Sequence, residues 1–434
     1  MIDSAAALLA AIRESPNELL PRLAFADWCE EHQQPERAAF IREQCAAAAG
    51  ASPYDPQARQ FQQSAALRLH AHSAEWYPQL SHATRSQLIH ERGFPIAVRI
   101  NPLVLPADLP ILIQQTPLER LSIDCSQVEM PAIVEQILRR LSVMLQGSRL
   151  RTLELLNAGM NSRSLAPLLE ISELVTLESL NLLRNHADSR FVDQLLASPR
   201  LPRLRQLDLE SNSLTPEGIR QLLTRPSFAK LRAFHIPDQN IDHSTWMAML
   251  ESPHATELES LSLGPGLDSR CLIRWTQHDG LPALRHLDLA WNDIHDPAVI
   301  QLAESPRLRQ LQSLSLWATP ITEAAGQALA RSRFADHLRL LDLSRTGIRD
   351  ETILAMLSTG TWTNLRELRL ERIPLQMQTL RHLAESNRLS PDCRLMVTTL
   401  HLSRAESQQV REWFDARQKL AESARIPAGL PHPD

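Results

Sequence analysis

No apolar run long enough to cross a bilayer, about 18 residues, occurs anywhere in the 434-residue chain. No CxxC pair occurs either. The five cysteines, Cys29, Cys45, Cys125, Cys271 and Cys393, are scattered, and an odd, widely spaced set reads as free thiols in a reducing compartment. The N-terminal "MIDSAAALLAAIRESP" lacks the basic start of a secretory leader, and Arg13 and Glu14 break its apolar run. A cytoplasmic location is therefore expected. Excess basic charge is missing too: 45 Lys and Arg against 50 Asp and Glu leave a formal charge of -5. That balance gives no net attraction to nucleic acid or to anionic lipid, so neither is an expected partner. Phosphate-binding-loop, nucleophile-elbow, zinc-protease and dinucleotide fingerprints are all absent, and nothing points to an enzyme, a cofactor or a metal.

What the chain does contain is a repeat. Leucines that open an L-x-x-L-x-L hexamer, with Phe or Ile allowed inside it, fall at Leu150, Leu177, Leu204, Leu231, Leu258, Leu284, Leu311, Leu338 and Leu365. Successive openings are 27 residues apart, with a single interval of 26. An earlier copy, "LERLSI", starts at Leu118, and "PIAVRI" from Pro95 is a degenerate first copy. Each hexamer alternates apolar and polar residues, which is the period of a half-buried strand. Apolar or small residues then recur at helical spacing, as in Leu214, Gly218 and Leu222, or Ile294, Ala298 and Leu302. Pro199, Pro226, Pro253 and Pro306 punctuate the helix ends, because a residue without an N–H cannot continue a helix. One unit is thus a strand, a turn, a helix and a return loop. No unit buries enough apolar surface to fold alone, so neighbours must share a continuous core.

These features resemble the leucine-rich-repeat family, and the 27-residue period with a full helix resembles its ribonuclease-inhibitor-like class. The resemblance covers residues 93–400. It implies an α/β fold: a curved solenoid with ten to eleven parallel strands on the concave side and helices outside. The family pattern places Asn nine positions into each unit. Asn185, Asn212 and Asn292 match, while Gln239, Gly266, Thr319, Thr346 and Ile373 depart from it, which leaves the turns of those units open.

The stretch "PRLAFADWCEEHQQPERAAFIREQ", residues 21–44, gathers Asp27, Cys29, Glu30, Glu31 and His32. Phe25, Trp28, Cys29 and His32 are spaced i, i+3, i+4, i+7, which makes one helical stripe, and Pro21 and Pro35 mark helix first turns. A Cys29–His32 dyad needs an exposed thiolate, which this stripe argues against. Cys29, His32 and Cys45 lack the paired spacing of a structural zinc site, and the acidic residues suit a solvated helix face. A small all-α module with Cys29 and His32 facing or flanking its core is the simpler reading, with Ser4 as an N-cap and Leu8, Leu9 and Ile12 as an apolar face. "PRLAFADW", "EE" and "PERAAFIREQ" also resemble the repeat-companion domain, a short N-terminal module of bacterial, mainly planctomycete, proteins. Cys29 stands where that family usually has Leu.

The expected division is 1–50 for the helical module, 51–92 for a linker and helical cap, 93–400 for the solenoid, and 401–434 for a capping helix and tail. Trp76 lies in the first cap. Ser403 with Glu406 forms a capping box for the last helix, whose apolar face is Val410, Trp413, Phe414 and Leu420.

Strand alternation directs positions three, five and seven of each unit into the concavity. Position five reads Ser122, Glu154, Asn181, Asp208, His235, Ser262, Asp288, Ser315, Asp342 and Arg369. Position seven adds Glu210, Trp317 and Glu371, and position eight adds Trp291 and Arg345. The candidate partner-binding residues are therefore Asp208, Glu210, His235, Asp288, Trp291, Trp317, Asp342, Arg345 and Arg369, since Trp and Arg are enriched at interface hot spots. Charge reversal at Asp288 or Asp342 is expected to act on association rate. The expected function is a monomeric, non-enzymatic scaffold for a partner protein. Regulation of a small GTPase, as in leucine-rich-repeat activators, is the alternative, and it rests on fold analogy alone.

Overall fold

The computed structural model of the protein describes residues 4–49, 56–126, 131–162, 164–237, 241–277, 280–360 and 362–423. The chain divides into two compact units, residues 1–187 with 194–209, and residues 188–193 with 210–434.

The first unit opens with four helices, α1 (Ser4–Glu14), α2 (Leu20–Glu31), α3 (Pro35–Ala49) and α4 (Pro56–Trp76). Prolines mark the starts as expected, with Pro35 at the head of α3 and Pro21 in the first turn of α2. Helix α1 begins at Ser4 itself. Phe25 and Cys29 fill the core at 2% and 0% exposure. His32 is exposed and stacks on half-buried Trp28, with ring centroids 4.1 Å apart. The stripe is thus buried at its Phe25 and Cys29 end and wet at its His32 end, so the thiol and the imidazole stand in different surroundings. Trp76 is buried against Phe40, with centroids 4.9 Å apart.

The segment expected to be helical up to residue 92 ends differently. After a short helix, α5 (His82–Arg85), the chain forms strand β1 (Leu88–Glu91), which pairs antiparallel with β2 (Phe94–Ile100). Arg92 and Gly93, at φ 52° and 86°, make the two-residue turn between them; two positive φ values match the right-handed twist of a hairpin. Gly93 is required on a second count, because a Cβ there would lie 2.6 Å from Cγ1 of Ile41 on α3.

From β2 onward the strands run parallel. In the first unit β3 (Arg120–Asp124), β4 (Thr152–Leu156), β5 (Ser179–Asn181) and β6 (Gln206–Asp208) follow in chain order. The second unit continues with β7 (Ala233–Ile236), β8 (Ser260–Leu263), β9 (His286–Asp288), β10 (Ser313–Ser315), β11 (Leu340–Asp342), β12 (Glu367–Leu370) and β13 (Arg394–Val397). Each pairs with its neighbour at matching repeat positions. Each unit is a leucine-rich-repeat stack of parallel strands, with six strands in the first and seven in the second among the described residues, where ten to eleven in all were expected. The additions are β1 and β13. Leucines at hexamer positions four and six form the core: Leu207, Leu209, Leu287, Leu289, Leu341 and Leu343 are all 0–2% exposed.

The turns after β4, β5, β6, β9, β10, β11 and β12 share one form. Position eight adopts a left-handed backbone at Asn157, Arg184, Ser211, Trp291, Ala318, Arg345 and Arg372, with φ between 53° and 61°. Position nine satisfies the backbone around it. The Asn185 side chain accepts from the N–H groups of Ala158 and Met160 and donates to the carbonyls of Leu155, Leu182 and Leu183. Asn292 accepts from the Leu267 N–H and donates to the carbonyls of Leu289 and Ala290. Thr319 and Thr346 keep half of this pattern, their hydroxyls donating to the carbonyls of Leu316 and Leu343 at 2.6 Å. Gly266 serves by absence, since a Cβ there would lie 1.7 Å from the Ile241 carbonyl oxygen. Gln239 lies outside the described residues.

Helices then begin at side-chain caps. Thr215, Asp242 and Asp268 accept from the N–H groups of Gly218, Thr245 and Cys271. The last helix, Arg404–Ser423, closes the second unit with the expected capping box: Glu406 accepts from the Ser403 N–H and Ser403 from the Glu406 N–H. Val410 is buried, and Trp413 and Phe414 are half-buried; the side chain of Leu420 and the tail from 424 lie outside the described residues, as does the linker at 50–55.

Candidate partner-binding face

Strand pairing in the second unit aligns His235, Ser262, Asp288, Ser315, Asp342 and Arg369 in one row across β7 to β12. The position-five column expected from the sequence is therefore real in this unit. Beside it, Trp317 and Glu371 of position seven help to line a shallow depression of about 360 Å³, together with Asp288, Asp342, Arg369 and Met396.

An aromatic corner stands at the edge of this depression. The rings of Trp291 and Trp317 meet edge to face, with centroids 4.8 Å apart and planes at 86°, a favourable arrangement for two π-systems. The Arg345 guanidinium lies over both, 4.9 Å from Trp291 and 5.6 Å from Trp317. The backbone explains the meeting. The Trp291 N–H donates to the Trp317 carbonyl, and the Arg345 N–H donates to that of Glu371, each at 2.9 Å. Position eight of one unit is thereby tied to position seven of the next. Trp291 remains 52% exposed, and Trp317 is half-buried.

The acidic residues of the row have a second duty that sequence reasoning missed. Oδ1 of Asp288 accepts from the Ala290 N–H at 3.1 Å, and Oδ2 accepts from the Ser262 hydroxyl at 3.1 Å. Oδ1 of Asp342 accepts from the Ser344 N–H at 2.9 Å, while Oδ2 lies 3.6 Å from Arg369. Asn181 does the same for the Leu183 N–H. A short side chain that accepts from the N–H two residues on is an Asx turn, which here ends the strand. Charge reversal at Asp288 or Asp342 would therefore break the turn as well as change the field, so a loss of local stability would accompany the effect expected mainly on association rate and salt dependence for rim residues.

The candidate residues do not all converge. Asp288, Trp291, Trp317, Asp342, Arg345 and Arg369 form one patch. His235 lies two strands from Asp288, with Nε2 2.9 Å from the Ser260 hydroxyl. Asp208 ends β6 in the first unit, where its carbonyl accepts from the Leu182 N–H, and Glu210 opens residues 210–434 of the second; neither lines the depression. Met396 and Ser315 join the patch instead, the former on a strand absent from the expected set.

None of the five cysteines is in a disulfide, and all are buried. Burial pushes the thiol of Cys29 up to about 11, that of Cys125 to about 11 and that of Cys393 to about 12, which keeps all three protonated at neutral pH. Among the described residues no helix is long and apolar enough to cross a membrane.

No protein-family model matches the chain, and no curated protein matches it. Among solved structures, Rad7 in the Rad7–Elc1 complex of yeast is similar, at 17% identity over 88% of this chain and 93% of that one, with a TM-score of 0.46. An internalin, InlF, from Listeria monocytogenes is 17% identical over 70% of this chain and 82% of its own, with a TM-score of 0.32. The TLR13 chain of a TLR13–ssRNA13 complex is 17% identical over 63% of this chain and 40% of its own, with a TM-score of 0.34. The repeat assignment rests on the strand register and the buried leucines, not on these likenesses.

Proposed function

We propose that the protein is a non-enzymatic scaffold that holds a partner protein on the strand face of its second unit, with Trp291 and Trp317 at the centre of the contact. The observation that carries this reading is the aromatic corner. A Trp 52% exposed, braced by a second Trp and an Arg, presents rigid apolar area beside hydrogen-bonding groups, the composition of an interface hot spot. The surrounding Asp288, Asp342, Arg345, Arg369 and Glu371 carry both signs, which suits the polar rim of a protein contact better than a phosphate backbone. Buried free thiols and a formal charge of -5 support a reducing, cytoplasmic setting and a protein partner rather than nucleic acid. We read residues 1–50 as a repeat-companion module, 51–92 as linker and cap, 93–400 as solenoid and 401–434 as closing cap and tail, in a monomeric chain.

The test is capture of partners from the native cell on wild-type bait, followed by titration of each against Trp317→Ala and Trp291→Ala. A central hot spot loses about 2 kcal/mol or more on truncation, roughly a thirtyfold weaker Kd. Full affinity in both variants would overturn the assignment.

A further inference from the structure

In a repeat of this length, side chains about one period apart in sequence become neighbours on adjacent units. His243 is the first residue of the helix His243–Glu251, Asp268 caps the next helix, Ser269–Thr276, and Cys271 lies in that helix's first turn. The imidazole nitrogen, carboxylate oxygen and thiol sulfur of these three all lie within 4.8 Å of one another. Nδ1 of His243 is 2.5 Å from Sγ of Cys271, and Oδ1 of Asp268 accepts from the Cys271 N–H at 2.8 Å. Cys271 is buried, Asp268 half-buried and His243 exposed. The cluster therefore has a dry floor and an open side. It is the one group of three ligand-type side chains at this spacing among the described residues.

We propose that His243, Asp268 and Cys271 bind a divalent transition metal of the zinc type, with water in the fourth position. Zinc takes sulfur at about 2.3 Å and nitrogen or oxygen at about 2.0–2.2 Å, so its tetrahedral ligand atoms stand roughly 3.3–3.7 Å apart. The three donor atoms here lie within 4.8 Å of one another, close enough to converge on one ion after a local adjustment. The His243 nitrogen and Cys271 sulfur must separate by about 1 Å to admit an ion of that radius, and exposed His243 in the first turn of its helix has the freedom to do so. Asp268 can serve without giving up its cap, because one oxygen holds the Cys271 N–H and the other is left for the ion. A soft thiolate and an imidazole disfavour magnesium and calcium, which demand oxygen shells.

On binding, the ion displaces the proton of the Cys271 thiol to solvent. The result is a clip across two successive helix starts. Asp242, the neighbouring cap, is already committed to Arg220, Ser244 and Thr245 and is outside the ligand set.

The test uses full-length protein dialysed against a chelator and titrated with cobalt(II). A thiolate-to-cobalt charge-transfer band should grow to saturation at one equivalent, disappear on adding zinc, and resist a thousandfold excess of magnesium. Cys271→Ser should abolish the band. His243→Ala removes an exposed side chain and should leave the circular-dichroism spectrum unchanged while weakening cobalt binding at least tenfold. No band at one equivalent, a band that survives Cys271→Ser, or unchanged affinity in His243→Ala would each overturn the proposal.

Discussion

His90 shows what one residue can contribute that the repeat pattern does not encode. Its ring lies against Phe40 and Tyr77, with centroids 5.6 and 5.8 Å away. Burial pushes its pKa down to about 4, with Arg37 adding repulsion and the Leu88 backbone opposing the shift. The folded protein thus keeps this imidazole neutral where an unfolded chain, titrating near 6.5, has taken up a proton. Between pH 6.5 and about 4 the unfolded state binds more protons, so stability falls as pH falls, by up to about 3 kcal/mol. Urea midpoints at pH 7 and pH 4.5 should separate for the wild type and converge for His90→Leu; equal pH dependence in both would refute the account. Such residues were not legible in the sequence. The core leucines were, because a 27-residue register repeats them, whereas His90, Arg22 and Arg417 each occur once and owe their burial to partners distant in the chain.

At the scale of elements, single arginines tie the ends of the array to it. Arg22 of α2 is 1% exposed. It donates to the carbonyls of Pro16, Glu91 and Arg92 and lies 5.3 Å from the Phe94 ring, which fastens the helical module to the β1–β2 hairpin. Arg417 of the last helix is 7% exposed and donates to the carbonyls of Leu383, Ala384, Ser386, Leu389 and Ser390. Those carbonyls belong to the end of the helix Met377–Glu385 and the loop beyond it, where no intrahelical donor remains. Arg417→Ala should cost about 3 kcal/mol or more, because it strands buried acceptors. Arg417→Lys, with a point charge in place of a planar fork, should recover only part of the loss. A urea midpoint unchanged in Arg417→Ala would refute this.

Sequence reasoning found both caps through their aromatic and apolar residues but not through these cations. It also missed β13. The register holds there, with Glu367 opposite Arg394 and Leu368 opposite Leu395. Asp392, however, stands where the opening leucine belongs, held by Arg366 at 2.8 Å, and Val397 replaces the third leucine. A pattern search anchored on the first leucine passes over such a unit. The hairpin was more accessible, since "ERGF" contains the glycine that a two-residue turn needs.

At the scale of the whole molecule, the question is how a protein with a formal charge of -5 would meet its partner. The position-five acids were legible as a column, but neither the burial of Asp342, at 7% exposure, nor their tie to the backbone was, because an Asx turn is visible only once the strand end is located. Asp288 and Asp342 are thereby committed locally, and Asp342 is further neutralised by Arg369 at 3.6 Å. Exposed Glu371 on the same face is left as the charge best able to act at a distance. Screening limits such action to about 8 Å at physiological ionic strength, so the effect belongs to the encounter and not to the final contact. Glu371→Arg should therefore change the association rate with a captured partner by roughly three- to tenfold, and added salt should erase the difference. Trp317→Ala should leave association nearly untouched and speed dissociation, because it removes area buried only in the complex. Surface-plasmon kinetics at low and high salt would separate the two variants. If Glu371→Arg altered dissociation and Trp317→Ala association, the division of labour between the acidic rim and the aromatic corner would be wrong.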